Sequence, residues 1–320
     1  MRDVGKAYKP REVRLFKSPP EGFDPLVASD RELQIYGFPN RPEVESHPEL
    51  NEYWKLMMSP PISVSQPSFG VMPDLHPAGR QAALAPTSGD GWSGSAVQAH
   101  GDPFYFVAGQ WTIPNIVIPP GADVPSWPIL DAGTICGCAE WVGIDGWNGN
   151  SSAIVQAGTT QAWIASPGLF SIDLSLETWA WFEWYPHKSV LITDLRASPG
   201  DVMSCVICVH TPTEVGVYMK NWTTGQYKPY IQKKPSDAEP LVGNTAEWVL
   251  ENPVNGGLGV LAEYATVYLD YCLAGSQHHL ISGGGNDAIP LQMHDANGTT
   301  ISRPEFVTDT LITTTYVPRP

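Results

Sequence analysis

Three stretches of this chain set ionisable or amide side chains among large aromatics at a spacing of two, the period of a β-strand. In residues 178–186, alternation sends Trp179, Trp181, Glu183 and Tyr185 to one face and Ala180, Phe182 and Trp184 to the other. A carboxylate ringed by aromatics suits a groove for an extended polymer, although aromatic stripes more often fill sheet cores. In residues 244–251, Glu247, Val249 and Glu251 share a face opposite Ala246, Trp248 and Leu250. Two carboxylates on one partly buried face repel each other and lose hydration, which raises a pKa and makes a proton donor; on a solvated face they stay ordinary. Residues 140–146 place Trp141, Gly143 and Asp145 on one side, and Gln156 follows within an apolar run. A buried glutamine needs partners or costs on the order of 1 kcal/mol, and backbone groups alone could supply them.

Other chemistries find little footing. A net charge of −15 argues against nucleic acid, which is held by concentrated Lys and Arg. There is no GxGxxG or P-loop, so no nucleotide cofactor is expected, and no apolar run approaches the roughly 20 residues of a membrane span. The five cysteines are an odd set. Cys205 and Cys208 have the spacing of a metal pair but sit in an apolar run with no second pair, so burial rather than zinc is expected, and no metal site is assigned.

The elements that must position these side chains are short and β-rich. Thirty Gly, 31 Pro and many β-branched and aromatic runs between turn signals predict an all-β domain of antiparallel sheets packed face to face. Strand segments are predicted at 92–98, 104–113, 138–144, 153–157, 178–185, 202–209, 215–221, 247–251, 262–271 and 310–317. Residues 1–88 read differently. Six Lys and Arg against two acidic residues among the first 20 give a basic start, a short helix fits 48–58, and 59–89 is rich in Pro, Ser, Gly and Ala. The expected division is an extension, 1–88, and a domain, 89–320. The start has no apolar h-region of a secretory signal.

Taken in order, these segments resemble the glutamic peptidases, or eqolisins. Gly91-Trp92-Ser93-Gly94 looks like the family's opening strand, and Trp141-Val142-Gly143-Ile144-Asp145-Gly146 is similar to its most recognisable motif. Ala153-Ile154-Val155-Gln156-Ala157-Gly158, Glu183-Trp184-Tyr185-Pro186, Asn221-Trp222-Thr223-Thr224-Gly225-Gln226 and the stretch from Asn244 to Glu251 then follow in family order. The resemblance implies a lectin-like sandwich of two antiparallel sheets with a substrate cleft on a concave face. It implies that Gln156 and Glu251 are the catalytic pair, with Trp92, Trp141, Asp145 and Glu183 in or beside the cleft; Trp181 and Tyr185 join them through the strand alternation. Polypeptides are the implied substrates, secretion the implied route, and no cofactor is called for.

Peptide hydrolysis suits those residue types. Glu251 can take a proton from an attacking water and return it to the leaving nitrogen, while the Gln156 NH2 holds the water and then the oxyanion. A base that is ionised among protonated neighbours implies an acidic optimum. The family is made with basic prosegments, so residues 1–88 are expected to fold over an acidic cleft and be released in acid, with a permanent packing extension as the alternative. The chain departs from the pattern at Asn252, usually acidic, at His187 and Lys188 after Tyr185-Pro186, and in its cysteines, of which only Cys272 matches. Two rivals stand beside this: a carbohydrate-active sandwich using Glu183 and Glu251 on its aromatic groove, and an inactive binding module on the same fold.

Overall fold

The period-two runs fold into strands, and the rest of the chain is arranged to cover their apolar faces. The computed structural model describes residues 12–45, 47–73, 75, 91–127, 129, 131–149, 151–254 and 259–318; the expected boundary at 88 lies outside them. The extension carries β1 (Val13–Leu15), α1 (Asp30–Tyr36), α2 (Pro48–Met58), β2 (Ser63–Val64) and β3 (Phe69–Val71). The domain continues through β4 (Trp92–Gln98), β5 (Phe106–Thr112), β6 (Ile116–Val117), β7 (Gly133–Ile144), β8 (Val155–Pro167), β9 (Ile172–Trp184) and β10 (Val190–Ile192). Then come β11 (Val202–Thr211), β12 (Glu214–Asn221), β13 (Gln226–Lys233), β14 (Thr245–Glu251), β15 (Glu263–Tyr264) and β16 (Val267–Gly275). Five short strands finish it: β17 (Leu280–Ser282), β18 (Ile289–Leu291), β19 (Met293–His294), β20 (Thr300–Phe306) and β21 (Ile312–Tyr316).

Two large sheets result. One has eight strands in the order β18-β4-β14-β7-β8-β9-β10-β3; the other has eleven, running β1-β13-β12-β11-β5-β16-β21-β20-β19 with β17 on β16 and β2 on β13. Between them lies the main core, where Val142, Ile144, Phe182, Trp184 and Trp248 of the smaller sheet meet Val107, Trp111, Ile207, Val217 and Leu269 of the larger. Buried indoles need an acceptor for their N–H, and here two of them find it across the sheets. Trp248 Nε1 donates to the Ala108 carbonyl at 2.7 Å and Trp111 Nε1 to Thr159 Oγ1 at 2.8 Å. The fold is therefore the all-β sandwich that the sequence predicts.

At the margin of the eight-stranded sheet β3 pairs with β10 and Met72 packs beside the cluster of Trp141, Trp181 and Val249, and residues 1–11 and 76–88 of the expected prosegment lie outside the described ones; α1 and α2 with their flanks pack against the outer face of the eleven-stranded sheet. The reason is apolar matter on both sides. Phe38, Tyr53, Trp54 and Met57 bury against Phe106, Val206, Tyr218 and Tyr227 in a second core. Helix α1 starts with a capping box, Ser29 with Glu32, and ends at Gly37, whose φ of 79° is easy only for glycine. That ending lets Phe38 stack on Tyr227 at 5.1 Å while the Tyr227 hydroxyl donates to the Gly37 carbonyl. Two buried lysines fasten the next stretch. Lys220 Nζ donates to the Met57 and Ser59 carbonyls at 2.8 and 2.7 Å, closing the end of α2, and Lys228 Nζ reaches Ser65 Oγ and Asp194 at 2.7 and 2.6 Å. Among the described residues no helix is long and apolar enough to cross a membrane.

Candidate active site

Strand register assembles the site on the face of the eight-stranded sheet that looks away from the main core. Glu247, Gly143, Gln156 and Glu183 form one row across β14, β7, β8 and β9. The next row is Val249, Trp141, Gly158 and Trp181, and the one after it sets Glu251 beside Ala139 on β7 and beside Trp92 on β4. Gly158 is the enabling residue of the middle row. A Cβ there would sit 2.6 Å from Trp141 Cβ and 2.1 Å from the Glu140 carbonyl oxygen, so only glycine lets the Trp141 indole lie down on the sheet.

Trp141 then fixes Glu251. Its Nε1 donates to Glu251 Oε2 at 2.8 Å, and the Trp92 indole, packed edge-on against Trp141 at 4.8 Å, is a second side-chain donor to the same carboxyl. Loss of water around this carboxyl pushes its pKa up to about 7 against the pull of the indole N–H groups. On the far side of the row, Gln156 Nε2 donates to Glu183 Oε2 at 2.6 Å. Glu183 is likewise raised to about 7, first by burial and then by the charge of Glu251, with Gln156 and Ser189 pulling it down. Gln156 is 6 % exposed, and its Oε1 is buried without a hydrogen-bond partner. The face therefore holds two carboxyls that resist ionising together and an amide, in register with Glu183 and two rows from Glu251, with one arm unused.

Other expected positions fall elsewhere. Asp145 lies outside the cleft: β7 ends at Ile144, so alternation no longer dictates its direction, and its φ of 68° turns it under the loop before β14. There it is fully buried, accepting from the Val242, Gly243 and Asn244 amides at 2.7, 3.1 and 2.8 Å, and its carboxylate holds the approach to the strand that carries Glu251. Tyr185 is also off the row, because β9 stops one residue earlier; the ring is half exposed in the following turn. Trp181 does share the face, but it is buried against Leu191, with its Nε1 donating to Thr160 Oγ1 at 2.8 Å, so it forms floor rather than open surface. Glu247 shares the face of Glu251, as alternation predicts, but is sealed from solvent, with burial and the nearby Asp145 driving its pKa well above the ordinary carboxyl range.

One ionisable group escapes a reading centred on the cleft. Glu140 points into the main core, where Thr159 Oγ1 and Gln161 Nε2 donate to its Oε2 at 3.0 and 3.1 Å and Cys138 Sγ lies 3.4 Å from Oε1. Its position one residue before Trp141 assigns it to the core phase, and a charged residue in that phase was the available signal. Cys205 and Cys208 face different cores across β11, and no cluster of three metal-ligating side chains exists among the described residues.

Comparison with known proteins finds relatives over most of the chain. Residues 90–316 match the peptidase A4 family. Aspergillopepsin-2 of Aspergillus niger is 25% identical over 233 residues, which cover 71% of this chain and 77% of that protein. Scytalido-glutamic peptidase, solved with a transition state analog inhibitor, superposes with a TM-score of 0.54 at 25% identity, over 72% of this chain and 100% of the other. SCP-B, an eqolisin-family peptidase solved with the tripeptide Ala-Ile-His, shares the fold at a TM-score of 0.52 and 23% identity, again over 72% of this chain and all of that one.

Proposed function

We propose that this chain, which belongs to the peptidase A4 family and is a glutamic-type endopeptidase, hydrolyses peptide bonds with Glu251 as general base and Gln156 as oxyanion donor. The supporting observation is the one-sided assembly of Glu251, Gln156 and Glu183 on a floor of Trp141 and Trp181, with both carboxyls held up near 7 by burial.

An amide is a poor electrophile with a poor leaving group, so a water must be activated and the developing charge received. Glu251, when ionised, takes the proton of a water lying between it and Gln156 as that water attacks the scissile carbonyl. The Trp141 and Trp92 N–H groups keep its carboxylate oriented through the proton transfer. The negative charge that forms on the carbonyl oxygen is met by the Gln156 NH2, and Glu251 then returns its proton to the departing nitrogen. Glu183 supplies the proton economy of the site: two carboxyls that cannot readily both ionise share one proton over an acid to neutral window, and the productive form leaves Glu251 bare. Substrate lies along the aromatic face as an extended polypeptide.

The decisive experiment is cleavage of a denatured protein across the acid range by the full chain and by E251Q and Q156A. Both variants should lose at least about 100-fold in kcat, the usual cost of removing such a base or donor. Unchanged cleavage in both would refute the assignment. The carbohydrate-active reading of the same aromatic face has no support in the family match; release of sugar without peptide cleavage would revive it.

A further inference from the structure

Gln156 presents an unused buried carbonyl, and what fills that need decides whether the residue can do its work. We propose that the protonation state of Glu183 sets which arm of the Gln156 amide faces Glu183, so that Gln156 offers its NH2 to the oxyanion only while Glu183 carries a proton. The inference rests on the reading of Gln156 as oxyanion donor and deepens it.

Gln156 and Glu183 are register partners on β8 and β9, and Gln156 Nε2 lies 2.6 Å from Glu183 Oε2. An ionised carboxylate only accepts, so it must be met by the NH2, as it is here, and the carbonyl is then turned to the other side. That carbonyl is buried and has no donor, a loss of roughly 1 to 3 kcal/mol. A carbonyl in that place would also repel an incoming oxyanion. Protonating Glu183 removes both defects at once. The carboxylic O–H donates to Oε1 after a half turn about the last side-chain torsion, which exchanges oxygen and nitrogen with almost no movement of the rest, and Nε2 is delivered to the other side.

The surroundings leave this exchange to one charge. β7 and β8 present Trp141, Gly143 and Gly158 to the row, Glu247 on β14 ends the row beyond Gly143 with burial favouring its protonated form, and Ser189, before β10, is the further hydrogen-bond partner of Glu183. Among the described residues the ionisable group that acts on Glu183 is Glu251 on β14, whose charge favours the protonated form. Ionising the base and protonating Glu183 thus reinforce each other: the state in which Glu251 can accept a proton is the state in which Gln156 is turned to donate. Glu183 is on this account a positioning residue.

The test is the pH profile of kcat/KM for the wild type, E183Q, E183A and Q156A. The wild type should lose activity toward high pH, roughly tenfold per unit once Glu183 ionises. In E183Q the new amide can donate to Gln156 Oε1 at every pH, so the alkaline limb should move up by at least one unit. E183A, which offers no donor, should be at least tenfold weaker than E183Q throughout. Superimposable alkaline limbs in the wild type and E183Q overturn the inference, and so does a folded E183Q no better than E183A. A second readout needs no catalysis: the side-chain 15NH2 signal of Gln156, identified by its absence in Q156A, should shift with pH at the midpoint of the alkaline limb, and a pH-invariant signal again refutes the switch. Full activity in Q156A would instead sink the oxyanion reading itself; a roughly 100-fold loss there beside an unmoved E183Q limb would sink only the switch.

Discussion

Substituting Glu140 by glutamine should convert a pH-dependent fold into a less pH-dependent one. Glu140 is fully buried in the main core and its pKa is pushed from 4.5 up to about 7 by loss of water, despite hydrogen bonds from Thr159, Cys138 and Gln161. A shift of that size, about 2.5 units at 1.36 kcal/mol each, corresponds to roughly 3 kcal/mol. Between the unfolded and folded values the native state holds a proton that the unfolded chain has released, so stability falls as pH rises. The contribution is complete below pH 4.5 and is lost as pH passes through about 7. Glutamine is nearly isosteric, keeps an acceptor for Thr159 and Gln161, and does not titrate. Urea unfolding of the full chain and E140Q at pH 4, 5.5, 7 and 8 isolates the effect, because Glu183, Glu247 and Glu251 titrate equally in both. The two proteins should agree within about 1 kcal/mol at pH 4, while E140Q should be the more stable by about 3 kcal/mol at pH 8. A difference between them that does not vary with pH would refute the reasoning.

Further outcomes follow from contacts described above. G158A should lose stability by 2 kcal/mol or more, as overpacking against backbone typically does, and should unseat Trp141, so that kcat falls together with the melting temperature. D145N should weaken the three-amide clasp on residues 242–244; calorimetry should show destabilisation of roughly 1 to 3 kcal/mol, and kcat should drop as the approach to β14 loosens. K220M should leave the Met57 and Ser59 carbonyls without their donor, and limited proteolysis should then cut within residues 57–65 faster than in the wild type.

How much of this is legible in the chain depends on which force fixes each part. The phase of β9 and β14 can be read from residues alone, because aromatic and charged side chains alternate there with Ala180, Phe182, Ala246 and Leu250, and the core takes only the second set. Helix α2, with proline at its first position, is read with its limits, 48–58. Strand β13 has no such signal: Lys228, Pro229 and Gln232 interrupt its apolar pattern, and it is a strand because β12 and the extension pair with both of its sides. Asp145 illustrates another limit. Alternation assigns it a face only while the strand lasts, and its destination is set by backbone amides nearly a hundred residues away. The seat of α1 and α2 is illegible for the same reason: the sequence offers only a charge asymmetry, whereas buried aromatic area on the eleven-stranded sheet decides where these two helices pack. For Gln156 the sequence shows an amide in an apolar run; its pairing with Glu183 emerges only from register.

The three small strands of the extension do something that neither its helices nor its lysines do. β2 and β1 run along successive stretches of the outer margin of β13, at Gln226–Tyr227 and Tyr230–Gln232, and β3 covers that of β10. Each would otherwise be an open row of amides and carbonyls, one on either sheet, able to zip onto the same row of another molecule. Two margins that belong to different layers thus end in edge strands of only two or three residues, all drawn from residues 13–71. A chain made without them would meet its neighbours as an adhesive surface before it met any substrate, and its first failure would be visible as particles in solution rather than as a slow enzyme.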